Sequence, residues 1–417
     1  MGGLFSNKGF RNLWISQVAL SLGDACMRMG LLEIFTRFRR DPEVETAKMF
    51  FALSVPGLLF GPFAVVHLDK WQRRGVLMVS DAVRALLMGV MVWWLWRENG
   101  SGETSQTLAW VYFIIFLIGA IATFYLPARY ALLPNLVADD RLIKANTLLT
   151  TSLAVVAVGG MPLGGWLAVR AGPLWALSLN GIAYVGSILL VRRIQVTHAT
   201  TRPQEGGNGG TADELREGLI YLWRHPTVVP LVLIAAIFAF LGGILIVTIV
   251  GYAQKTLELG TLGLGWLGGA AGLGAGLGVI CLGQGRKWTR SIWLPPAQLV
   301  VGGGLLGLLS MTDRPWVAVP VLMALGAVVA TAVIPIDAKL QEEVDDKRRG
   351  AVFAARGMLT SATMIVAFWL KFGTSILRTT PPPRILLWLG AGAVFAAALT
   401  AVALRARQHK SAPGTVA

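Results

Sequence analysis

Twelve stretches of the sequence are apolar over about 20 residues, the length that crosses a bilayer as a helix. They lie at 12–35, 48–68, 76–96, 108–127, 147–169, 173–191, 227–252, 261–282, 292–311, 316–336, 352–376 and 384–404. Only 14% of the 417 residues are charged, against about 25% in a soluble domain. The chain therefore lacks the charge that a water-facing surface of its size requires. The runs predict an all-α membrane protein with twelve transmembrane helices.

The longest polar interruption divides these runs into six and six. Its centre, THATTRPQEGGNGGTAD, has the Gly-rich, polar composition of a flexible linker. The next segment, ELREGLIYLW, places apolar residues at helical spacing beside charges, which predicts a short amphipathic helix at the membrane surface. We therefore predict an N-terminal half at 1–195, a cytoplasmic linker at 196–224 and a C-terminal half at 225–417.

Basic residues are concentrated in alternate loops. If the N-terminus is cytoplasmic, most of the 37 Lys and Arg residues fall in cytoplasmic loops and tails, as the positive-inside rule requires. This distribution predicts that both termini are cytoplasmic and that the protein lies in the cell (inner) membrane. The net charge of +15 then reflects membrane topology rather than a nucleic-acid partner.

The sequence carries no pattern typical of an enzyme or of a cofactor site. None of the four histidines lies near a second His or Cys at ligand spacing, so we expect no metal site. The motif GLGWLG at 263–268 matches the dinucleotide pattern, but it lies inside an apolar run without the required strand. Its glycines and those that follow, spaced four apart, instead predict a helix side that a neighbouring helix approaches closely.

The loop after the second run carries more charge than membrane orientation requires. Three bases there would suffice as an anchor, but acidic residues contribute little to orientation, so the acid in the loop needs another explanation. An acid and a base also begin the next run three residues apart, on one helical face. The cluster consists of Asp69, Lys70, Arg73, Arg74, Asp81 and Arg84.

This loop resembles the signature of the major facilitator superfamily, G-x-x-x-D-R-x-x-R-R, although Val65 stands where the family has glycine. The segments LPARYALLPNLVADDRLIKANTLL and IPIDAKLQEEVDDKRRGAVF are similar to loops of its enterobactin and macrolide exporters. GGMPLGG, with Gly160, Pro162, Gly164 and Gly165, resembles the glycine–proline motif of exporters. LPARYALL, LIKAN and IPIDAKLQEE are also similar to bacterial lysophospholipid transporters.

The resemblance implies two six-helix halves of the major facilitator fold, each built from inverted repeats, with a substrate cavity near the bilayer midplane. It implies a monomeric secondary active transporter, with proton-coupled export of a small amphipathic compound as the expected activity. The charge cluster would act as a cytoplasmic latch that stabilises the outward-open state. In that reading, Asp69 approaches the helix that begins near 350–355.

Two alternatives remain open. The protein could move lysophospholipids across the inner membrane. It could also be a transport-inactive sensor on the same fold, since the family glycine is missing at Val65 and the fourth run, VYFIIFLIGAIATFYLP, lacks an arginine.

Polar side chains inside the apolar runs mark candidate sites. Asp24 lies near the middle of the first run, where a charge costs roughly 2.5–3.5 kcal/mol. Arg28 follows four residues later on the same helical face and can reach it, as a switchable partner or as half of a permanent structural pair. The candidates for a proton or substrate site are Asp24, Arg28, Glu33, Gln17 and Asn180. Lys371 is expected to extend outward toward the membrane surface.

Overall fold

The computed structural model describes residues 2–37, 41–68, 71–98, 105–138, 141–195, 220–222, 224–225, 228–283, 291, 293–344 and 346–411. These residues form helices and no strand. The helices are α1 (Gly2–Phe5), α2 (Lys8–Arg37), α3 (Pro42–Leu68), α4 (Arg73–Arg97), α5 (Ser105–Leu132), α6 (Leu142–Arg170), α7 (Pro173–Arg192), α8 (Val228–Gly251), α9 (Gly260–Gly283), α10 (Leu294–Ser310), α11 (Pro315–Glu343), α12 (Asp346–Gly373), α13 (Ser375–Thr379) and α14 (Pro382–Ser411). Each of the twelve predicted runs coincides with one long helix, which confirms the predicted fold class.

Within the described ranges, nine of the long helices have the length and hydropathy of a membrane span. The other three are α2, α10 and α12. Helix α10 is apolar but has only 17 residues, whereas α2 and α12 carry several charged side chains. Asp24, Arg28 and Glu33 lie on α2, so some of the charges that lower the hydropathy of this helix belong to candidate site residues.

Turns form where glycine and proline interrupt the apolar pattern. Between α6 and α7, Gly172 adopts a φ of 107°, which is readily accessible to a residue without a β-carbon. Pro173 then occupies the first turn of α7, where its missing N–H leaves no hydrogen bond unmade. The segment RAGP at 170–173 is thus a tight connection between α6 and α7.

Two compact units divide the chain. Unit 1 comprises Met1–Glu214 and Glu258–Gly272, and unit 2 comprises Leu215–Leu257 and Leu273–Ala417. In unit 1, α2 packs against α6 and α7, and α4 packs against α5 and α7. The predicted boundaries of the halves and linker stay a prediction, because most of 196–224 lies outside the described residues.

Within unit 1, the glycines of GLGWLG allow the first half of α9 to lie close to α6. A β-carbon at Gly265 would lie 2.7 Å from the Met161 carbonyl oxygen, and one at Gly269 would lie 2.7 Å from that of Val158. The motif is therefore a helix-packing surface, as its spacing predicts. The pattern is incomplete, since a β-carbon at Gly276, in the part of α9 that belongs to unit 2, would meet none of the described atoms within 4 Å.

In unit 2, α10 packs against α14 and α8 packs against α12. Arg356 on α12 forms an ion pair of 2.5 Å with Asp337 on α11. The expectation that Lys371 extends outward is wrong: its side chain is buried, and its ammonium donates a hydrogen bond of 2.8 Å to the Leu377 carbonyl oxygen. The acceptor lies in the short helix α13, so the lysine ammonium is bonded to the protein and is covered rather than exposed.

Candidate functional site in unit 1

Asp24 on α2 is held by neutral donors on α7. Asn180 Nδ2 donates to Asp24 Oδ1 at 3.0 Å, and the Tyr184 hydroxyl donates a longer bond of 3.3 Å to the same oxygen. Gly23 permits this approach, because a β-carbon there would lie 3.0 Å from the Asn180 Cα. The carboxylate is therefore fixed by two uncharged groups from a neighbouring helix.

The expected contact between Asp24 and Arg28 is absent. Neither residue forms an ion pair with any side chain in the described part of the chain. The physical reason is that the Asp24 carboxylate faces α7, where Asn180 and Tyr184 supply its donors. Helical spacing made Arg28 reachable, but it did not specify which way the carboxylate would turn.

Glu33 lies nearer the end of α2 and has a different environment. Its Oε1 accepts a hydrogen bond of 2.8 Å from Arg37 Nε. The Arg37 side chain is 51% exposed and that of Glu33 is 13% exposed. This is an i,i+4 pair at a helix end, separate from the polar contacts of Asp24.

Asp81 and Arg84 on α4 form a buried ion pair of 2.6 Å, with side chains 0% and 7% exposed. The Ser187 hydroxyl on α7 donates to Asp81 Oδ2 at 2.6 Å. The guanidinium carbon of Arg84 lies 4.3 Å from the ring centre of Tyr125 and 4.8 Å from that of Tyr184. Arg84 is thus neutralised by a carboxylate and flanked by two electron-rich ring faces.

A second arm of polar contacts leads from Tyr125 to Arg129, both on α5. Gln17 Nε2 donates to the Tyr125 hydroxyl at 2.6 Å, and Arg129 Nη1 donates to Gln17 Oε1 at 3.1 Å. Gln17, Tyr125 and Arg129 are all buried. The guanidinium carbon of Arg129 lies 4.6 Å from the Tyr130 ring centre.

These contacts join side chains from α2, α4, α5 and α7 into one chain of interactions, which we call the charge network. Its members are Gln17, Asp24, Asp81, Arg84, Tyr125, Arg129, Asn180, Tyr184 and Ser187. Buried polar atoms are normally hydrogen-bonded, and two members depart from this rule. Within the described residues, Asn180 Oδ1 and Arg129 Nε have no partner.

Sequence reasoning missed four members of the network: Tyr125, Arg129, Tyr184 and Ser187. The apolar run ends at 127 and so predicts Arg129 in a loop, but α5 continues to Leu132 with Pro127 inside it. Helix α5 therefore carries an arginine in its last turn, beyond the apolar run that lacks one. For the other three, the only available signal was that two of them, Tyr125 and Tyr184, carry a hydroxyl group on an aromatic ring inside an apolar run.

The predicted latch residues fall into two groups. Asp69 and Lys70 lie outside the described residues, so the latch and its approach to 350–355 stay a prediction. Arg73 donates to the Ala131 carbonyl oxygen at 2.7 Å, and Arg74 donates to that of Arg192. Both bases bind carbonyls at the ends of α5 and α7, where a cation is favoured by the helix dipole. Asp81 and Arg84 belong to the charge network.

The glycine–proline motif of α6 is a packing surface. A β-carbon at Gly164 would lie 2.9 Å from the Cys26 Cα on α2, and one at Gly160 would lie 3.1 Å from the Ala25 Cβ. On the side facing α9, a β-carbon at Gly165 would lie 3.1 Å from the Thr261 carbonyl oxygen. Pro162 lies within the helix between these contacts. The motif thus holds α6 close to the helix that carries Asp24.

Two kinds of chemistry follow from the network. Asp24 and the free Asn180 Oδ1 are acceptors that suit a proton, an ammonium group or another hydrogen-bond donor. Arg129 offers an unused N–H donor. Among the described side chains, no group of three His, Cys, Asp or Glu residues is arranged to hold a metal ion.

Comparison with known proteins places these features in context. A family model described as the Major Facilitator Superfamily matches residues 13–368. The chain is 23% identical to an uncharacterized MFS-type transporter, YkuC, of Bacillus subtilis, over 84% of this chain and 81% of that protein. It is also 23% identical to the lysophospholipid transporter LplT of Escherichia fergusonii, over 97% of each. The solved structure of a point mutant of the nucleoside transporter NupG superposes with a TM-score of 0.73 at 11% identity, covering 94% of this chain and 99% of that one.

Proposed function

Because the chain belongs to the Major Facilitator Superfamily, we propose that this membrane transporter is a secondary active transporter that exports a small amphipathic compound, such as a drug or a siderophore-like molecule. Transport proceeds by alternating access, and protons are the proposed coupling ion. The observation that carries the proposal is Asp24, a carboxylate inside the helix bundle whose hydrogen-bond partners in the described residues, Asn180 and Tyr184, are uncharged.

The environment of Asp24 suits a group that changes its charge state. Two hydrogen bonds, from Asn180 and Tyr184, stabilise the ionised carboxylate. Ionisable residues near the middle of a span are rare outside functional sites, because a charge there costs roughly 2.5–3.5 kcal/mol on insertion. Asp24 forms no ion pair with Arg28 or with any other cation of the described residues, so no cation is bonded directly to the proposed proton site.

The proposed location is the inner membrane of a bacterium, with a monomeric chain and both termini in the cytoplasm. The excess of basic residues in the loops on the N-terminal side of the membrane supports this orientation. An even number of spans would return the C-terminus to the same side.

A second candidate is lysophospholipid transport. It is favoured by the similarity to LplT, which extends over 97% of both chains. A lysophospholipid is itself a small amphipathic compound, so the two candidates differ in substrate and coupling rather than in mechanism class.

The test is transport by purified protein in liposomes, with dyes and lysophospholipids, in the presence and absence of a proton gradient. We expect Asp24→Asn to abolish gradient-driven accumulation while leaving downhill movement, because the asparagine cannot take up a proton. Glu33→Gln is the matched control, since Glu33 is also acidic and on α2 but is paired with Arg37. We expect it to transport like the unaltered protein.

The outcomes separate the candidates. Gradient-dependent export of dyes supports the first proposal, and lipid movement without a gradient supports the second. Uphill transport that survives in Asp24→Asn excludes this residue as the coupling site. If it is lost instead in Glu33→Gln, the coupling site moves to Glu33.

A further inference from the structure

Arg129 differs from Arg84, the other cation of the charge network, in having no ion-pair partner within the described residues. Its side chain is buried, with only 6% of the residue exposed. Its hydrogen-bonding partner is the neutral oxygen of Gln17, at 3.1 Å, and it forms no ion pair within the described residues. Its Nε is buried and has no hydrogen-bond partner. Among the described residues, the guanidinium thus has no counter-ion and has one unused donor.

A buried guanidinium without a counter-ion is unfavourable unless an anion from elsewhere binds it. A buried ion usually has a counter-ion, because desolvation costs several kcal/mol per charge. Arg84, in the same network, has Asp81 at 2.6 Å. A water molecule could accept the Nε–H bond, but it would not neutralise the charge of Arg129.

The remaining members of the network do not supply the missing anion. Asp81 is occupied by Arg84 and Ser187. Asp24 is bonded to Asn180 and Tyr184. Gln17 and Asp24 are seven residues apart on α2, which corresponds to about 10 Å along a helix. Tyr125, through its bond to Gln17, holds the amide oxygen against Arg129 rather than allowing it to turn away.

We propose that Arg129 anchors an oxyanion, a phosphate or a carboxylate, on the transported compound. A guanidinium presents a planar fork of N–H donors that matches two oxygens of such a group. The inference rests on the proposed function and deepens it, because it assigns the amphipathic substrate a negatively charged head. Gln17 is a positioning residue that orients the fork through its bond to Nη1.

The test measures ligand binding to the purified, full-length protein in detergent. Lysophosphatidylglycerol is compared with monoacylglycerol of the same acyl chain, which has no phosphate. Glycerol phosphate and citrate serve as soluble anions. We expect the unaltered protein to bind the anionic lipid at least tenfold more tightly than the neutral one, because charge-assisted hydrogen bonds are lost with the neutral ligand.

Three variants place the effect on one residue. Arg129→Gln removes the charge and should reduce the anionic preference at least tenfold, with affinity for monoacylglycerol unchanged. Arg129→Lys keeps the charge but lacks the planar fork of donors. Its preference for the anionic lipid should lie between those of the unaltered protein and Arg129→Gln. Arg170→Gln removes an exposed arginine at the end of α6 and should behave like the unaltered protein. If Arg129→Gln does not fold, Arg129→Lys decides by the same comparison of the two lipids.

Each outcome has a defined meaning. Preference for lysophosphatidylglycerol without binding of the soluble anions identifies a lipid headgroup as the source of the oxyanion. Binding of glycerol phosphate or citrate that Arg129→Gln abolishes identifies a soluble anion. No anionic preference in the unaltered protein, or a preference undiminished in the folded Arg129 variants, overturns the inference. If the inference fails but gradient-driven dye export persists, the proposed function stands. If the protein exports no compound in response to a gradient, the proposed function itself is overturned.

Discussion

At the scale of single residues, the charge network contains one buried ion pair and two charged side chains whose hydrogen-bond partners are neutral. Asp81 and Arg84 neutralise each other at 2.6 Å, and Ser187 and two tyrosine rings complete their surroundings. Asp24 and Arg129 have only neutral hydrogen-bond partners among the described residues. A side chain that binds a proton or a substrate must have capacity left for it, which the paired residues lack and the other two retain.

Burial of the Asp81–Arg84 pair predicts that losing it lowers the stability of the protein more than losing an exposed pair does. Asp81→Asn should lower the free energy of unfolding by about 3–5 kcal/mol, the cost of leaving a buried charge without its partner. Unfolding of the purified protein in a denaturant titration measures the change. Glu33→Gln is the control, and it should cost less than about 1 kcal/mol because its partner Arg37 is half exposed. Equal losses in the two variants would show that burial does not distinguish these pairs.

At the scale of helices, close packing depends on which glycines face a neighbour. On α6, Gly164 lies against the backbone of α2 near Cys26, whereas a β-carbon at Gly159 would meet none of the described atoms within 4 Å. The two positions lie in the same helix and the same motif. Gly164 is buried and Gly159 is exposed, but helix propensity is common to both, so the comparison measures the cost of the contact with α2.

We therefore expect Gly164→Ala to destabilise the protein by about 1–3 kcal/mol, because the added methyl group meets the α2 backbone at 2.9 Å. Gly159→Ala should be neutral or stabilise slightly, since alanine loses less conformational freedom than glycine in a helix. Thermal unfolding of the two purified variants, followed by tryptophan fluorescence, gives the comparison. A loss of stability in Gly159→Ala as large as in Gly164→Ala would contradict this account.

At the scale of the whole molecule, the number of spans determines which loops face the cytoplasm. Twelve long helices are present in the described ranges, and the basic loops lie on the N-terminal side if all twelve cross the membrane. The linker is then cytoplasmic, and the loop after α4 is external. Three of the helices lack the length or hydropathy of a typical span, so this arrangement needs a direct test.

Single cysteines at Asn208 and Gly100, in a background without Cys26 and Cys281, provide that test. An impermeant thiol reagent applied to intact cells should label position 100 and leave position 208 unlabelled until the cells are opened. Replacing Cys26, which is buried, by alanine keeps the packing close to its original state. Labelling at 208 together with protection at 100 would reverse the proposed orientation.

The fold and the composition of the site were predictable from the sequence to different extents. The twelve helices could be located because bilayer thickness imposes a length on each apolar run, and that length is a local property of the chain. Asp24, Gln17 and Asn180 could be identified as candidates because polar groups inside such runs are costly. Both conclusions depend on the residue and its neighbours in sequence, not on distant contacts.

What the sequence by itself determined was therefore the fold class and several of the polar residues; which side chains touch was decided by the tertiary structure. Helical spacing proposed Arg28, four residues away, as the partner of Asp24. The actual donors, Asn180 and Tyr184, are 156 and 160 residues away, on a helix that approaches because Gly23 has no side chain. Helical periodicity describes one helix and carries no information about which helix packs beside it, so only the packed structure could assign these partners.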